Sequence, residues 1–138
     1  MTGIYQHSID AKGRLIIPAK LREDLGEEFY VTISPERCLR AYSNEGWEKL
    51  NEQVKALSRV KQTMMRPLFS RAAKCELDTQ GRVLLSQPLR DYADLKKNIA
   101  IVGVGGHVEF WDADIWAEVD AIETSPERLA EVFEELDF

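Results

Sequence analysis

The chain has few of the residues from which catalytic and metal sites are usually built. Its 138 residues include two cysteines, Cys38 and Cys75, and two histidines, His7 and His107, and no two of these four stand at the short spacing of a zinc site. Two cysteines are also too few for a disulfide framework, so we expect both to be reduced and buried. The Gly-Val-Gly-Gly stretch at 103–106 begins like the Gly-x-Gly-x-x-Gly pattern of a dinucleotide-binding loop, but the last glycine of that pattern is missing. The stretch therefore favours a hairpin turn. The sequence therefore predicts no cofactor, no metal, no small-molecule substrate and no enzymatic activity.

Long apolar runs are absent as well. No stretch approaches the roughly 18–20 apolar residues that are needed to cross a bilayer. The N-terminus shows neither the basic start nor the apolar core of a secretory signal. We therefore expect a cytoplasmic protein without a membrane partner.

An overall excess of positive charge is also missing, because the net charge is −6. The charge is unevenly distributed: residues 112–138 hold ten acids and one base, Arg128, which leaves a net charge of +3 on residues 1–111. The acidic end indicates a solvated surface or an interaction tail. Composition is thus compatible with a basic, DNA-binding face on the rest of the chain.

The sequence does contain one pattern of residues twice, with the second copy 68 residues after the first. Each copy is about 45 residues long and predicts strand, turn, strand, short helix, strand, turn, strand and then a helix with a tryptophan. One copy of this size is too small to bury a sufficient apolar core. We therefore expect the two copies to share a single core across a pseudo-two-fold axis. The aligned pairs include Asp10 and Asp78, Gly13 and Gly81, Arg14 and Arg82, Leu21 and Leu89, and Arg22 and Arg90.

Local signals place helices after the second strand of each copy. Pro18 can open the first of these helices and Gly26 can end it. In the second copy Ser86 replaces Pro18 and can act as the N-cap, with Pro88 in the first turn. This difference leaves open whether the two helices begin at equivalent residues.

Helical periodicity also predicts three longer amphipathic segments. Residues 58–71, which connect the copies, are basic. We expect the apolar stripe near the C-terminus to pack on the core or on a neighbouring subunit. The apolar positions at helical spacing are Trp47, Leu50, Val54 and Leu57, then Ile115, Val119 and Ile122, and finally Leu129, Val132, Phe133 and Leu136.

Each of the two turns joins an aspartate to an arginine four residues later through a glycine. The aspartate can accept a hydrogen bond from the backbone N–H two residues on, and glycine tolerates the positive φ that such a turn tends to require. The carboxylate can also hold the planar guanidinium in one orientation, which suits a phosphate or the major-groove edge of guanine. Two interpretations stay open: the pair only ties the turn together, or it presents the arginine to a nucleic acid.

At these residues the chain resembles the MraZ family of bacterial proteins, which have two SpoVT-AbrB half-domains, each with an Asp-x-x-x-Arg motif. The similarity covers nearly the whole chain and keeps the order of the family's segments. The matching segments are DAKGRLIIPAKLRE, GWEKL, DTQGRVLL, LRDYADL and IVGVGGHVEFWDADIW.

The resemblance implies an α+β fold made of tandem AbrB-like swapped-hairpin β-barrel halves, related by a pseudo-two-fold axis and flanked by helices. It implies a first SpoVT-AbrB half-domain at 4–47, a helix and linker at 48–71, a second half-domain at 72–116 and acidic C-terminal helices at 117–138.

The resemblance also implies a repressor that binds DNA sequence-specifically, as a ring-shaped homo-oligomer in the nucleoid. The implied partner is double-stranded promoter DNA with short G-rich direct repeats, upstream of the division and cell wall gene cluster that includes the family's own gene. An AbrB-like antitoxin or protein-interaction module, with residues 112–138 binding a partner, is the alternative. The implied DNA-binding residues are Asp10, Lys12, Gly13, Arg14, Asp78, Gly81 and Arg82.

Overall fold

The computed structural model describes residues 1–137 and contains one series of elements twice, in the order that the sequence predicts. The first copy comprises β1 (Thr2–Ser8), β2 (Arg14–Ile16), α1 (Ala19–Leu25), β3 (Glu28–Ile33), β4 (Leu39–Ser43) and α2 (Asn44–Lys55). Two short helices, α3 (Arg59–Met64) and α4 (Arg66–Ser70), connect it to the second copy. The second copy comprises β5 (Ala73–Glu76), β6 (Arg82–Leu84), α5 (Gln87–Tyr92), β7 (Asn98–Val104), β8 (Val108–Asp112) and α6 (Ala113–Glu123), and α7 (Pro126–Phe133) follows.

The short helices α1 and α5 begin at equivalent positions, because Ala19 and Gln87 are 68 residues apart. Ser86 caps α5 as predicted, and its hydroxyl oxygen accepts a hydrogen bond from the backbone N–H of Leu89 at 3.5 Å. Pro18 lies one position before the first helical residue rather than within the helix. Gly26 ends α1 with φ of 83°. The exchange of proline for serine therefore leaves the start of the helix unchanged.

The basic connection is helical, although its sequence predicts only a linker there. Ser58 caps α3 by accepting a hydrogen bond from the backbone N–H of Lys61 at 3.3 Å. Pro67 stands in the first turn of α4, where its missing N–H has no helical partner to lose. These two residues are the local signals that could have indicated the helices.

The main sheet has six antiparallel strands in the order β1-β7-β8-β4-β3-β5. The first strand of each copy pairs with the third strand of the other copy, so β1 lies beside β7 and β5 lies beside β3. The fourth strands, β4 and β8, meet in the centre of the sheet. The strand order therefore reads the same from either edge when the copies are exchanged.

A second, two-stranded sheet consists of β2 and β6, and we call it the β2–β6 ribbon. Its central pair is Leu15 opposite Val83. Two further hydrogen bonds extend it symmetrically: Ile17 donates its backbone N–H to the Gly81 carbonyl at 3.0 Å, and Leu85 donates to the Gly13 carbonyl at 2.8 Å. The backbone of each turn is thereby bound to the strand end of the other copy.

One apolar core lies beneath the ribbon and is built from both copies. Leu15 and Val83 are fully buried in it, together with Phe29 and Phe110 from the main sheet. Each copy supplies part of this core, which explains why a single copy would leave much apolar surface in water. Cys75 is buried in the same cluster, and Cys38 is also buried, which confirms the predicted burial of both cysteines.

The C-terminal helices differ in how they pack. Ile115 and Val119 of α6 contact a second apolar cluster that includes Trp111. In contrast, α7 has no buried residue, so its apolar stripe does not pack on the core. None of the helices within residues 1–137 has the length and apolar character required to span a bilayer.

Candidate nucleic-acid interface

The first turn, residues 10–14, is held by the Asp10 carboxylate. Its Oδ1 accepts hydrogen bonds from the backbone N–H groups of Lys12 at 3.0 Å and Arg14 at 2.8 Å. Its Oδ2 accepts a bond from Arg14 Nε at 2.7 Å. Gly13 supplies the left-handed backbone of the turn, with φ of 91°. One side chain therefore fixes both the path of the turn and the orientation of the arginine.

The second turn, residues 78–82, repeats this geometry. Asp78 Oδ1 accepts from the backbone N–H groups of Gln80 and Arg82, both at 2.9 Å, and Oδ2 accepts from Arg82 Nε at 2.8 Å. Gly81 has φ of 75°. The three bonds differ from their counterparts in the first turn by 0.1 Å each.

The aspartate bonds leave the outer part of each guanidinium available. Arg14 and Arg82 use Nε for the aspartate, and their Nη1 and Nη2 groups form no hydrogen bond within residues 1–137. The side chain of Arg14 is 35% exposed and that of Arg82 is 24% exposed. Both arginines thus have two terminal amino groups in a fixed orientation that are free of hydrogen bonds to residues 1–137.

The ribbon places the two arginines side by side. Arg14 pairs with Leu84 and Ile16 pairs with Arg82, so the arginines are diagonal neighbours, about 7–8 Å apart between Cα atoms. Alternate residues of a strand face opposite sides, and Leu15 and Val83 face the core. The outward face therefore carries both guanidinium groups together with Ile16 and Leu84, which are 43% and 61% exposed.

Two further arginines, which are not among the site residues predicted from the sequence, lie against the turns. A Cβ atom placed on Gly13 would lie 2.9 Å from Arg90 Nε, and one placed on Gly81 would collide with Arg22 Nη1. Arg90 Nε donates to the Leu85 carbonyl at 3.0 Å, whereas Arg22 Nε is buried without a hydrogen-bond partner among residues 1–137. The offset of 68 aligns Arg22 with Arg90, but the packing of each on the other copy's turn depends on tertiary structure.

The remaining predicted site residues distinguish the two turns. Lys12 is exposed and forms no side-chain bond within the described part of the chain. Its counterpart in the second turn is the neutral Gln80, also exposed. The first turn is consequently the more cationic of the two.

Both turn aspartates are held in the ionised state. The pKa of Asp10 is lowered to about 2, chiefly by the hydrogen bond from the backbone N–H of Arg14 and also by the Arg14 guanidinium, whereas a partial loss of water opposes the shift. The pKa of Asp78 is also lowered, chiefly by the backbone N–H of Arg82. The carboxylates therefore remain charged, and stay hydrogen-bonded to the arginines, throughout the neutral pH range.

The low pKa of Asp10 predicts how the turn responds to acid. The ordinary pKa of aspartate is 3.8, so the ionised form stabilises the fold fully above about pH 4, and this stabilisation is lost as the pH falls towards 2. In urea unfolding at pH 7, 4, 3 and 2.5, we expect the difference in stability between the wild type and Asp10→Asn to shrink over that interval. Glu48→Gln, which removes an exposed carboxylate without an ion pair in residues 1–137, is the control. A difference that stays constant down to pH 2.5 would contradict the prediction.

A separate polar cluster does not suit a metal ion. Oxygen and sulfur atoms of Glu36, Cys38 and Glu109 lie within 4.8 Å of one another. Burial raises the pKa of the Cys38 thiol to about 12, which disfavours the thiolate that a metal requires. Glu109 already accepts bonds from Trp111 Nε1 at 2.9 Å and pairs with His107 Nε2 at 3.0 Å. The cluster is a set of internal polar contacts.

The other residues considered as metal ligands lie at the two edges of the main sheet. His7 is on β1 and Cys75 is on β5, which are the two opposite edge strands of the main sheet. The structure therefore does not bring the two cysteines and two histidines into one site.

Comparisons with known proteins point to one family. A sequence profile described as "MraZ protein, putative antitoxin-like" matches residues 1–66 and, a second time, residues 68–133. The chain is 46% identical to a protein from Symbiobacterium thermophilum named Transcriptional regulator MraZ, over 99% of both chains. Proteins of the same name are 45% identical in Acetivibrio thermocellus, over 94% of this chain and 93% of that protein, and 47% identical in Carboxydothermus hydrogenoformans, over 83% and 82%.

Proposed function

The chain belongs to the MraZ family, and we propose that it is a transcriptional regulator that binds double-stranded DNA with the outward face of the β2–β6 ribbon. The observation that carries the proposal is the pair of guanidinium groups, Arg14 and Arg82, each oriented by an aspartate and turned outward from the core. A two-stranded ribbon is narrow enough to enter the major groove of B-DNA.

The chemistry of the ribbon suits the reading of bases. An arginine whose orientation is fixed can donate two hydrogen bonds to O6 and N7 of guanine, which is the commonest specific contact to a base. Ile16 and Leu84, on the same face, can contact thymine methyl groups. Lys12 can pair with a phosphate and set the register without reading sequence. Asp10, Gly13, Asp78 and Gly81 act by shaping the turns.

We further propose that the protein represses the division and cell wall gene cluster, including its own gene, as a ring-shaped homo-oligomer on short direct repeats. The family's two-copy architecture supports the division into half-domains at 4–47 and 72–116, and the exchange of β1 and β5 between copies supports the swapped-hairpin arrangement. Successive subunits of a ring would meet successive repeats, so weak single contacts would add up through effective concentration. A cytoplasmic, nucleoid-associated location follows from this function.

The net charge of −6 is compatible with DNA binding because the acids are segregated. Ten of the 24 acidic residues lie in residues 112–138, which include α6 and α7. The rest of the chain, which carries the ribbon, has a net charge of +3. Since a surface charge acts mainly within a Debye length, about 8–10 Å at physiological salt, the local charge of the ribbon matters more than the total.

The proposal is tested by measuring binding to a promoter duplex with its direct repeats and to a shuffled duplex of equal composition, by fluorescence anisotropy between 50 and 200 mM salt. We expect tighter binding to the repeat duplex. We also expect a steep fall in affinity with salt, because each phosphate that the protein neutralises adds roughly 0.9 to the slope of log K against log salt. Equal affinity for the two duplexes, or a flat salt response, would count against DNA recognition by this surface.

An antitoxin-like module remains the second candidate. The exposed apolar stripe of α7 and the antitoxin-like description of the family favour it. Copurification of a small basic protein, bound through residues 112–138, would support this candidate. Specific capture of the repeat duplex by the pure protein would support the first.

A further inference from the structure

The helix α7 exposes an apolar stripe in the most acidic part of the chain. Leu129 and Val132 are 55% and 57% exposed and lie three residues apart, on one side of the helix. Leu136, in the turn that follows the helix, is 51% exposed. No residue of α7 is buried. The acids Glu127, Glu131 and Glu134 recur at the spacing of the opposite side of the helix. We call α7 together with Leu136 the acidic helix; contiguous exposed apolar surface of this kind is typical of an interface.

The connection between the two copies exposes a surface of opposite charge. Residues 53–75 contain six bases and no acid. Within this stretch, which we call the basic segment, α3 has no buried residue, and Val60 and Met64 are each 73% exposed. Residues four apart lie on one face of a helix, so these two form a single apolar patch. Arg59 and Lys61, next to the patch, have no acidic partner within residues 1–137.

The two surfaces complement each other but do not cover each other within one chain, because both are exposed there. We propose that the acidic helix of one copy docks on the basic segment of a second copy. Leu129, Val132 and Leu136 would bury Val60 and Met64, as an amphipathic helix does in an apolar groove. The surrounding charges of opposite sign would steer the encounter and fix the partner. The proposal rests on the proposed ring and names the surfaces that build it.

This mode of docking is head-to-tail, and that is why it leads to a ring. Each copy has one acidic helix and one basic segment, so a bound copy still offers one unused surface to a third copy. Interfaces between two different surfaces continue until the rotation closes them into a ring, whereas an interface between identical surfaces stops at a dimer. A closed ring would repeat the β2–β6 ribbon once for each subunit.

A second copy fits the basic segment better than DNA does. Val60 and Met64 are among the most exposed large apolar side chains of residues 1–137, and a phosphate backbone offers nothing apolar to cover them. The acidic helix offers both an apolar stripe and negative charge, and it is present at the same concentration as its binding surface. DNA then remains the partner of the ribbon.

The test uses two variants that each block one surface, Met64→Asp on the basic segment and Val132→Asp on the acidic helix. Analytical ultracentrifugation of the wild type should show one large closed species. Each variant alone should sediment as a single subunit. An equal mixture of the two should form a species of two subunits and nothing larger, because only one pair of unblocked surfaces remains between them. Ile4→Asp on β1, at a side chain that is 52% exposed, should retain the wild-type mass.

Three results would overturn the proposal: a wild type of single-subunit mass, either variant at the wild-type mass, or a mixture that stays as single subunits. Circular dichroism establishes that the variants are folded, which is expected because both side chains are exposed. Binding to a duplex with one repeat separates this proposal from DNA recognition. Variants that lose assembly but bind one repeat like the wild type leave the ribbon's role intact, and a wild-type ring that binds no repeat leaves the docking intact.

Discussion

Replacing Arg14 with alanine is expected to weaken binding to the repeat duplex by about 5- to 150-fold for each repeat engaged. This range corresponds to about 1–3 kcal/mol for the loss of one base contact by an arginine. The cost is expected at Arg14 because its Nε is bound to Asp10 at 2.7 Å, which fixes the orientation of the two terminal amino groups before DNA binds. Little conformational freedom then has to be lost on binding.

The number of repeats amplifies the effect. Each subunit of a ring that meets a repeat loses its own contact, so the loss should multiply from a duplex with one repeat to duplexes with two and three. Anisotropy titrations on these three duplexes, at one salt concentration, measure the increase. A loss that is the same on all three would indicate that neighbouring subunits do not bind the repeats together.

Two variants control for charge and for site. Arg14→Lys keeps the positive charge and removes the planar fork, so it should lose specificity for the repeat duplex while keeping part of the binding to shuffled DNA. Arg37→Ala removes an exposed arginine from the connection between β3 and β4 and should bind like the wild type. The affinity of Arg82→Ala for the repeat duplex tests whether the second turn also contacts bases. Wild-type affinity of Arg14→Ala for the repeats would exclude Arg14 as a base-reading residue.

The parts of the fold that depend on local sequence could be predicted. The spacing of aspartate, glycine and arginine determines each turn, because the carboxylate bonds to backbone groups two and four residues ahead. Ser86 marks the start of α5 and Gly26 the end of α1 for similarly local reasons. The offset of 68 then predicts the order of elements in the second copy once the first is known.

The parts that depend on contact between the copies could not be predicted from the residues. Nothing in the pattern of β1 shows that it pairs with β7 rather than with a strand of its own copy. For the same reason, the sequence aligns Arg22 with Arg90 but does not indicate that each of them packs on the turn of the other copy. The exposure of the α7 stripe also depends on what the rest of the chain covers.

The second prediction with a large expected effect concerns the close contact between the copies at Gly13. Gly13→Ala is expected to lower the free energy of unfolding by about 2–5 kcal/mol, as backbone strain and overpacking combine. The new Cβ would lie 2.5 Å from the Leu85 carbonyl oxygen and 2.9 Å from Arg90 Nε, on a backbone with φ of 91°. The backbone has little room to move, because Leu85 donates its N–H to the Gly13 carbonyl at 2.8 Å.

Two other glycines separate the causes of this destabilisation. Gly105 has φ of 93° with open space around it, so Gly105→Ala should show the backbone cost alone, about 1–2 kcal/mol. Gly106 has open space without a positive φ, so Gly106→Ala should be close to the wild type. Urea unfolding of the three variants should therefore rank Gly13→Ala as least stable, then Gly105→Ala, then Gly106→Ala. If Gly13→Ala and Gly105→Ala lose equal stability, the end of β6 does not press on the first turn. The backbone pairing of the ribbon would still place Arg14 beside Arg82, but the close approach of the two copies at Gly13 would be looser than the structure has it.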